Sequence, residues 1–293
     1  MTPESTPCLV CQSPNTAALR PYRTTKAADV DYFGALTLVQ CAACGVSFAH
    51  PMPTQATLDT YYTTAYRSHE SDRRLEDTNN PWDGMMARAR AQLDFIEHYS
   101  AGEDRRTRPF ERCLDVGAGY GFFLDEVQRR GTVATTAVEL DTHSRARLTA
   151  QGHTILDHLR EAQGEWSLIA FSHLLEHMPN PHHFLAQVRA LLSPTGYIFC
   201  EVPNDTHIAA ALDDAPHLVF YTQESLVRLF ERGGFAIVKV SLCGVSDTRL
   251  QNLTRRVQAR LLAQPPRFLE RWNFQHFRYS HKGKWIRLLA KRV

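Results

Sequence analysis

No stretch of this sequence approaches the roughly 20 consecutive apolar residues that a bilayer-crossing helix needs. The opening MTPESTPCLV also lacks the basic and apolar regions of a secretory signal. Both absences lead to the expectation of a cytoplasmic protein. Net charge is also scarce, +2 over 293 residues, too little to imply a polyanionic partner from composition alone. Internal repeats at solenoid spacing and low-complexity blocks are missing, so the fold is expected from ordinary elements taken in sequence. What is present suffices for a globular chain: 43% of residues are hydrophobic and 22% charged, enough to bury a sizeable core in two unequal units.

The seven cysteines fall into two groups. Cys113, Cys200 and Cys243 sit singly inside apolar stretches that read as strands. Cys8, Cys11, Cys41 and Cys44 form two CxxC pairs separated by 29 residues, a spacing that suits a tetrahedral metal site. Four thiolates close the shell, so the expected metal is a structural zinc holding a ribbon over residues 1–50. Unpaired buried cysteines would leave the doubled spacing unaccounted for, and disulfides suit an oxidising compartment. Between the pairs, DYFGALTLVQ alternates enough to supply a strand.

Residues 51–105 read as a helical linker. Pro51 and Pro53 interrupt regular structure, and Tyr61, Tyr62 and Tyr66 are suited either to docking the segment on its neighbour or to covering a pocket. Asn80 and Pro81 then open a helix in which Met86, Ala89, Leu93 and Ile96 share a face.

The chemistry concentrates in ERCLDVGAGYGFFLDEVQRR, an apolar strand, a glycine turn and the start of a helix. Gly117, Gly119 and Gly121 permit a tight turn and a close ligand approach. A second strand, TVATTAVEL, ends at Glu139, 22 residues beyond Gly117, where a carboxylate can accept both hydroxyls of a ribose. The glycine pattern is GxGxG and not the dinucleotide GxGxxG, and Asp115 just ahead of it favours a cationic group over a pyrophosphate. On these residues the chain resembles the class I S-adenosylmethionine-dependent methyltransferases. FSHLLEHMPNP, LLSPTGYIFCEVPN and HLVFYTQESLVRLFERGGF extend the resemblance to a subgroup that includes members with an N-terminal zinc ribbon.

The resemblance implies an α/β fold: a Rossmann-like, doubly wound, mostly parallel sheet over residues 106–243 with an antiparallel last strand from KWIRLLAKRV. It also implies S-adenosylmethionine as cofactor, contacted by Gly117, Gly119, Gly121 and Glu139, with Asp115 acting through the loop or on the methionine ammonium. Asp157, after a third strand, is placed at the adenine, although an exposed Asp after a strand is also ordinary turn chemistry. His173 is placed against the methionine portion.

His173, Glu176 and His177 lie at the C-terminal end of the fourth strand, where doubly wound sheets carry their sites. His177 is a candidate base, with His173 and His217 as further catalytic candidates; each has a loop-holding alternative. Asn204 and His217 lie beyond the fifth strand, where substrate contacts are expected, each with a loop-fixing alternative, and Tyr221 is a weaker candidate. The expected function is methyl transfer to oxygen, carbon or nitrogen of a small-molecule acceptor, a sugar or specialised metabolite. Residues 244–293 are expected to form a basic helical insertion and the terminal strand. From Arg249 onward there are twelve Lys or Arg against the single acid Glu270, with aromatics interleaved. That segment keeps open an alternative, a zinc-ribbon protein binding nucleic acid or another anion with a non-catalytic cofactor pocket.

Overall fold

The structure, a computed structural model, describes residues 6–64, 81–100, 110–204, 214–244 and 283–293. Tyr66, Asn80 and most of the basic segment after Arg249 lie outside them.

Five parallel strands follow from the apolar runs: β4 (Arg112–Val116), β5 (Ala134–Val138), β6 (Thr154–Leu156), β7 (Trp166–Ser172) and β8 (Leu192–Pro203); the central β4 and β7 are largely buried on both faces, whereas the edge strand β6 is partly exposed. Two more strands, β10 (Phe235–Cys243) and β11 (Trp285–Arg292), complete a seven-stranded sheet of order β10-β11-β8-β7-β4-β5-β6, in which β11 runs antiparallel to both of its neighbours. This is the Rossmann-like sheet with an antiparallel last strand.

The period-2 alternation of strand side chains divides the core between the two faces. Cys113, Leu168, Ala170, Phe199 and Leu289 pack with Leu93, Phe95 and Ile96 of α3 (Pro81–Ser100) and with Phe123, Leu124 and Val127 of α4 (Phe122–Arg130). Leu114, Ile169, Phe171, Ile198 and Leu288 face Phe184, Leu185 and Val188 of α6 (Pro181–Leu191) and Leu226, Leu229 and Phe230 of α7 (Gln223–Arg232). Each fully buried Leu, Ile or Phe contributes on the order of 1.5–3 kcal/mol. Local signals place the helices: Asn180 accepts from the His183 N–H ahead of Pro181, and Thr222 closes a capping box with Ser225.

The second sheet is antiparallel, with order β1 (Thr16–Pro21), β2 (Thr37–Cys41), β3 (Ser47–His50), β9 (Val219–Phe220). Its last strand comes from the methyltransferase-like half of the chain, so the ribbon sheet is completed by residues far beyond position 50. The core follows suit, since Val10, Phe33, Phe48 and Tyr61 belong to the same apolar cluster as Ile169 and Phe230. DYFGALTLVQ is not one strand. Its first three residues end α1 (Ala27–Phe33), Gly34 caps that helix, and β2 begins only at Thr37; Phe33 is buried from the helix, and that mimics strand alternation in the sequence. A remaining helix, α2 (Gln55–Thr64), docks through Tyr61, whose hydroxyl donates to buried Asp29. Helix α5 (Thr142–Ala150) lies between β5 and β6 in the chain.

Candidate active site

At the C-terminal edge of β4 the chain turns through Gly117, Gly119 and Gly121, with φ of +73°, +53° and +77°. These are left-handed values that cost any L-residue about 1–2 kcal/mol. The loop and Glu139 meet directly. The Gly119 N–H donates to Glu139 Oε2 at 2.7 Å, while Glu139 Oε1 accepts from the Leu140 and Asp141 N–H groups, both at 2.8 Å. The carboxylate is thereby held at the loop by backbone donors. A Cβ on Gly121 would stand 2.3 Å from Leu148 Cδ2, whereas one on Gly119 would meet no described atom within 4 Å. Gly121 is therefore required by packing. Gly119 opens onto free space, as a cradle for a ligand does. Behind the loop, Arg147 pairs with Asp125 and with the Tyr120 carbonyl, and His153 Nε2 lies 3.0 Å from Asp125 Oδ1.

Asp115 is buried in β4, and its carboxyl is raised to about 8, first by burial and then by the nearby charge of Glu139. Burial thus favours the neutral form of this carboxyl. A cation placed beside it favours ionisation. Asp157 is exposed and paired with Arg145, which also donates to the Glu139 carbonyl at 2.8 Å.

A Cβ on Gly117 would lie 3.2 Å from Leu174, so the glycine loop abuts the turn that follows β7. That turn carries the histidines. His173 takes φ +53°, unusual for a non-glycine residue, and is fixed there by its N–H donating to the Glu201 carbonyl at 2.8 Å. Its Nδ1 lies 3.2 Å from Glu176 Oε1 and its Nε2 3.7 Å from Glu201 Oε1. Burial and Arg88 oppose its protonation, but the Glu176 and Glu201 carboxylates prevail and shift its pKa upward.

His177 occupies the short 3-10 turn Leu175–His177. Its Nδ1 lies 3.0 Å from the Tyr62 hydroxyl and 3.2 Å from the Pro216 carbonyl. The Pro216 carbonyl can only accept and the Tyr62 hydroxyl can do either, so these two contacts orient the ring through one nitrogen. The ring of His217 is 5.0 Å from that of His177. Burial, followed by the charge of His177, pulls His217 down to about 4, so it is neutral at pH 7. Glu176, 1% exposed, completes a group whose ligand atoms lie within 4.8 Å of one another.

The five sequence candidates divide into two groups at this point. His173, His177 and His217 gather at one place. Asn204 instead clips the end of β8 to the last strand, its N–H donating to the Lys284 carbonyl and its Nδ2 to the Gly283 carbonyl. Tyr221 is buried, with its hydroxyl on the Leu175 carbonyl. What sequence reasoning missed is the buried carboxylate of Glu201, which accepts from Arg88 Nε at 2.8 Å, from Gln92 at 3.1 Å and from Arg287 Nε at 2.5 Å. Burial works against its ionisation, but Arg88 and Arg287 hold it well below the usual carboxylate range.

In the ribbon, Cys8 Sγ lies 3.7 Å from Cys44 Sγ and Cys11 Sγ 3.6 Å from Cys41 Sγ. Roughly 2.3 Å bonds to a tetrahedral zinc set an edge of about 3.8 Å, so the donor set fits such an ion. Cys8 Sγ also accepts from the Val10 and Cys11 N–H groups at 3.4 Å, stabilising a thiolate.

A doubly wound sheet with an antiparallel last strand, a left-handed glycine turn and an acid at the end of the neighbouring strand defines the class I methyltransferase architecture. The family described as "Methyltransferase domain" matches residues 86–240, more than half of the sequence. The chain belongs to that family. Among curated relatives, it is 24% identical over 174 residues to the ubiquinone biosynthesis O-methyltransferase of Xanthomonas campestris pv. campestris, covering 56% of this chain and 70% of that protein. It is 29% identical over 108 residues to the same-named protein of Vibrio campbellii, covering 32% of this chain and 44% of that one. The match thus spans less than half of the Vibrio relative. Among solved structures, the plantazolicin methyltransferase BamL in complex with a triazolic desmethylPZN analog and SAH superposes with a TM-score of 0.52 at 14% identity, covering 80% of this chain and 93% of that one. At that identity the likeness is one of fold. Among the described residues no helix is long and apolar enough to cross a membrane.

Proposed function

We propose that this protein transfers the methyl group of S-adenosylmethionine to oxygen, carbon or nitrogen of a small-molecule acceptor, a sugar or specialised metabolite. The observation that carries the reading is the glycine turn joined to Glu139 by the Gly119 N–H, with open space above Gly119. In this reading Gly117 and Gly119 let the cofactor approach, Glu139 accepts from the ribose hydroxyls, and Asp115 ionises against the cofactor's cationic end. Asp157, at the rim, takes the adenine amine when it leaves Arg145.

When bound beside Gly119 and Glu139, the cofactor would supply an electrophilic methyl group with a neutral thioether as its leaving group. The protein's part is alignment and, for a weakly acidic acceptor, removal of a proton. His177, oriented through its Nδ1 by Tyr62 and Pro216, takes that proton. His217, neutral and 5.0 Å away, shapes the acceptor side, and His173 lies toward the methionine portion. The four cysteines hold a structural zinc, with no part in the chemistry.

The test is incubation of the zinc-loaded protein with S-adenosylmethionine and a panel of phenols, amines and nucleotide-linked sugars, read by product mass. Gain of one methyl group by a panel member, lost in Gly119→Arg, supports the reading. Cofactor consumption that leaves a larger group on the product would replace it with a different transfer from the sulfonium.

A further inference from the structure

The segment Asp214–Thr222 carries His217, and its anchors lie largely on the ribbon. Asp214 is fully buried, and among the described residues its side-chain partners come from β1 and the residues just after it. Both of its oxygens bind the Arg20 guanidinium, one at 2.8 Å, Oδ2 accepts from the Arg23 N–H at 2.8 Å, and Arg23 Nη2 approaches Oδ1 at 3.3 Å. The Asp214 N–H returns a bond to the Arg23 carbonyl at 2.9 Å. His217 itself is gripped through its backbone: its N–H donates to the Asp214 carbonyl at 2.9 Å, and the Tyr22 hydroxyl donates to its carbonyl at 2.6 Å. Further along, Ala49 N–H donates to the Leu218 carbonyl, β9 pairs with β3, and Thr222 Oγ1 donates to the Cys44 carbonyl at 3.3 Å. On the other side, the Leu218 N–H donates to the Glu176 carbonyl at 2.8 Å. That bond sets the segment against the turn bearing His177.

We propose that the cysteine ribbon is a positioning part of the acceptor site: acting through Asp214 and Tyr22, it fixes His217 beside His177, so loosening it impairs methyl transfer and leaves cofactor binding intact. The acceptor half of this inference rests on the function proposed above. The separation follows from the topology. The glycine turn, Glu139 and Asp115 belong to β4, β5 and their loops, and the donors that hold Glu139 there, the Gly119, Leu140 and Asp141 N–H groups, come from those loops themselves. An exclusively scaffolding ribbon would need only apolar contact with the core, but a buried carboxylate with two arginine partners demands one geometry, because losing a partner leaves charge uncompensated. The groups facing His217 are His177 and Glu176 from the 3-10 turn, His173 from the end of β7 and Asp214 from its own segment. Its low proton affinity comes chiefly from burial, and a released segment loses that burial.

The experiment uses full-length zinc-loaded protein and the variants Arg20→Met, Arg20→Lys and Tyr22→Phe. Three quantities are measured: the His217 imidazole titration by NMR, assigned by its loss in His217→Gln; S-adenosylmethionine affinity by calorimetry; and turnover of the fastest acceptor in the panel. In Arg20→Met the His217 midpoint is expected to move up from about 4 toward the ordinary 6.5, with turnover reduced at least about tenfold and cofactor affinity within about twofold of wild type. Arg20→Lys should restore part of each change. Should Arg20→Met fail to fold, Tyr22→Phe, which removes a single hydroxyl, carries the test in the same direction. Cofactor affinity falling in step with turnover overturns the proposal, as does an unmoved His217 midpoint in folded variants. A shifted midpoint together with undiminished turnover in His217→Gln overturns the acceptor-site role specifically, without touching the cofactor reading.

Discussion

Replacing Gly119 and Gly121 separately by alanine distinguishes a glycine kept for a ligand from one kept for packing. Both residues lie at positive φ, +53° and +77°, so each substitution incurs about 1–2 kcal/mol of backbone strain. The added Cβ of Gly119→Ala meets no described atom within 4 Å, while that of Gly121→Ala arrives 2.3 Å from Leu148 Cδ2. Leu148 is fully buried, and overpacking of that kind adds about 1–3 kcal/mol. Thermal unfolding of a chain this size shifts by roughly 2–4 °C per kcal/mol. Gly119→Ala should therefore lower the midpoint by a few degrees, and Gly121→Ala by about twice as much. Calorimetric titration with S-adenosylmethionine should rank Gly119→Ala as the greater offender relative to its stability cost, with affinity reduced at least about tenfold, or 1.4 kcal/mol. Wild-type cofactor affinity in Gly119→Ala would refute the assignment of that space to the cofactor. Equal destabilisation by the two variants would refute the packing argument.

Other expectations follow from the buried charges. Asp115 is raised to about 8 in the free protein, and a cationic cofactor favours its ionised form, so binding below that pH expels a proton. Affinity should rise with pH, by at most about tenfold per unit, and level off above 8; calorimetry in buffers of different ionisation heat reads both affinity and proton, and a flat profile would remove Asp115 from the cofactor's cationic end. Glu201→Gln strips Arg287, 2% exposed, of its buried partner and should cost about 3–5 kcal/mol in denaturant unfolding. Because the Glu201 carboxyl is depressed when folded, its stabilisation is present above the unfolded carboxylate pKa and is lost as pH falls through the folded one. Chelation of zinc, or Cys44→Ser, should expose the ribbon to limited proteolysis before the residues 110–204 are cut; simultaneous cleavage would show that the ribbon has no separate metal-dependent stability.

The residues that declare themselves in the sequence are those whose partners are close or whose pattern is local. The glycine turn and Glu139 are read together because a strand–turn–helix followed by a second strand fixes their separation, and the strands β4 to β8 appear as apolar runs. Pro81–Ser100 is legible from its helical spacing. DYFGALTLVQ misleads because a helix end and a strand start can alternate like one strand, and Gly34 is the local sign of the break. The pairing of Asp214 with Arg20 spans 194 positions, and that of Arg287 with Glu201 spans 86. Nothing local marks either. Glu201 sits inside CEVPN, an apolar strand where a carboxylate is tolerable only because two arginines from distant elements arrive beside it. Asn204 reads as a site residue from its place beyond β8, yet the backbone of the last strand claims its amide, and only the folded sheet reveals that neighbour.

Titration of the folded, zinc-loaded protein with S-adenosylmethionine and, in parallel, with NAD tests the account at its base. Saturable binding of the sulfonium cofactor, abolished in Gly119→Arg, with no heat from NAD, is the predicted result. Folded protein that binds NAD, or binds neither, would contradict it.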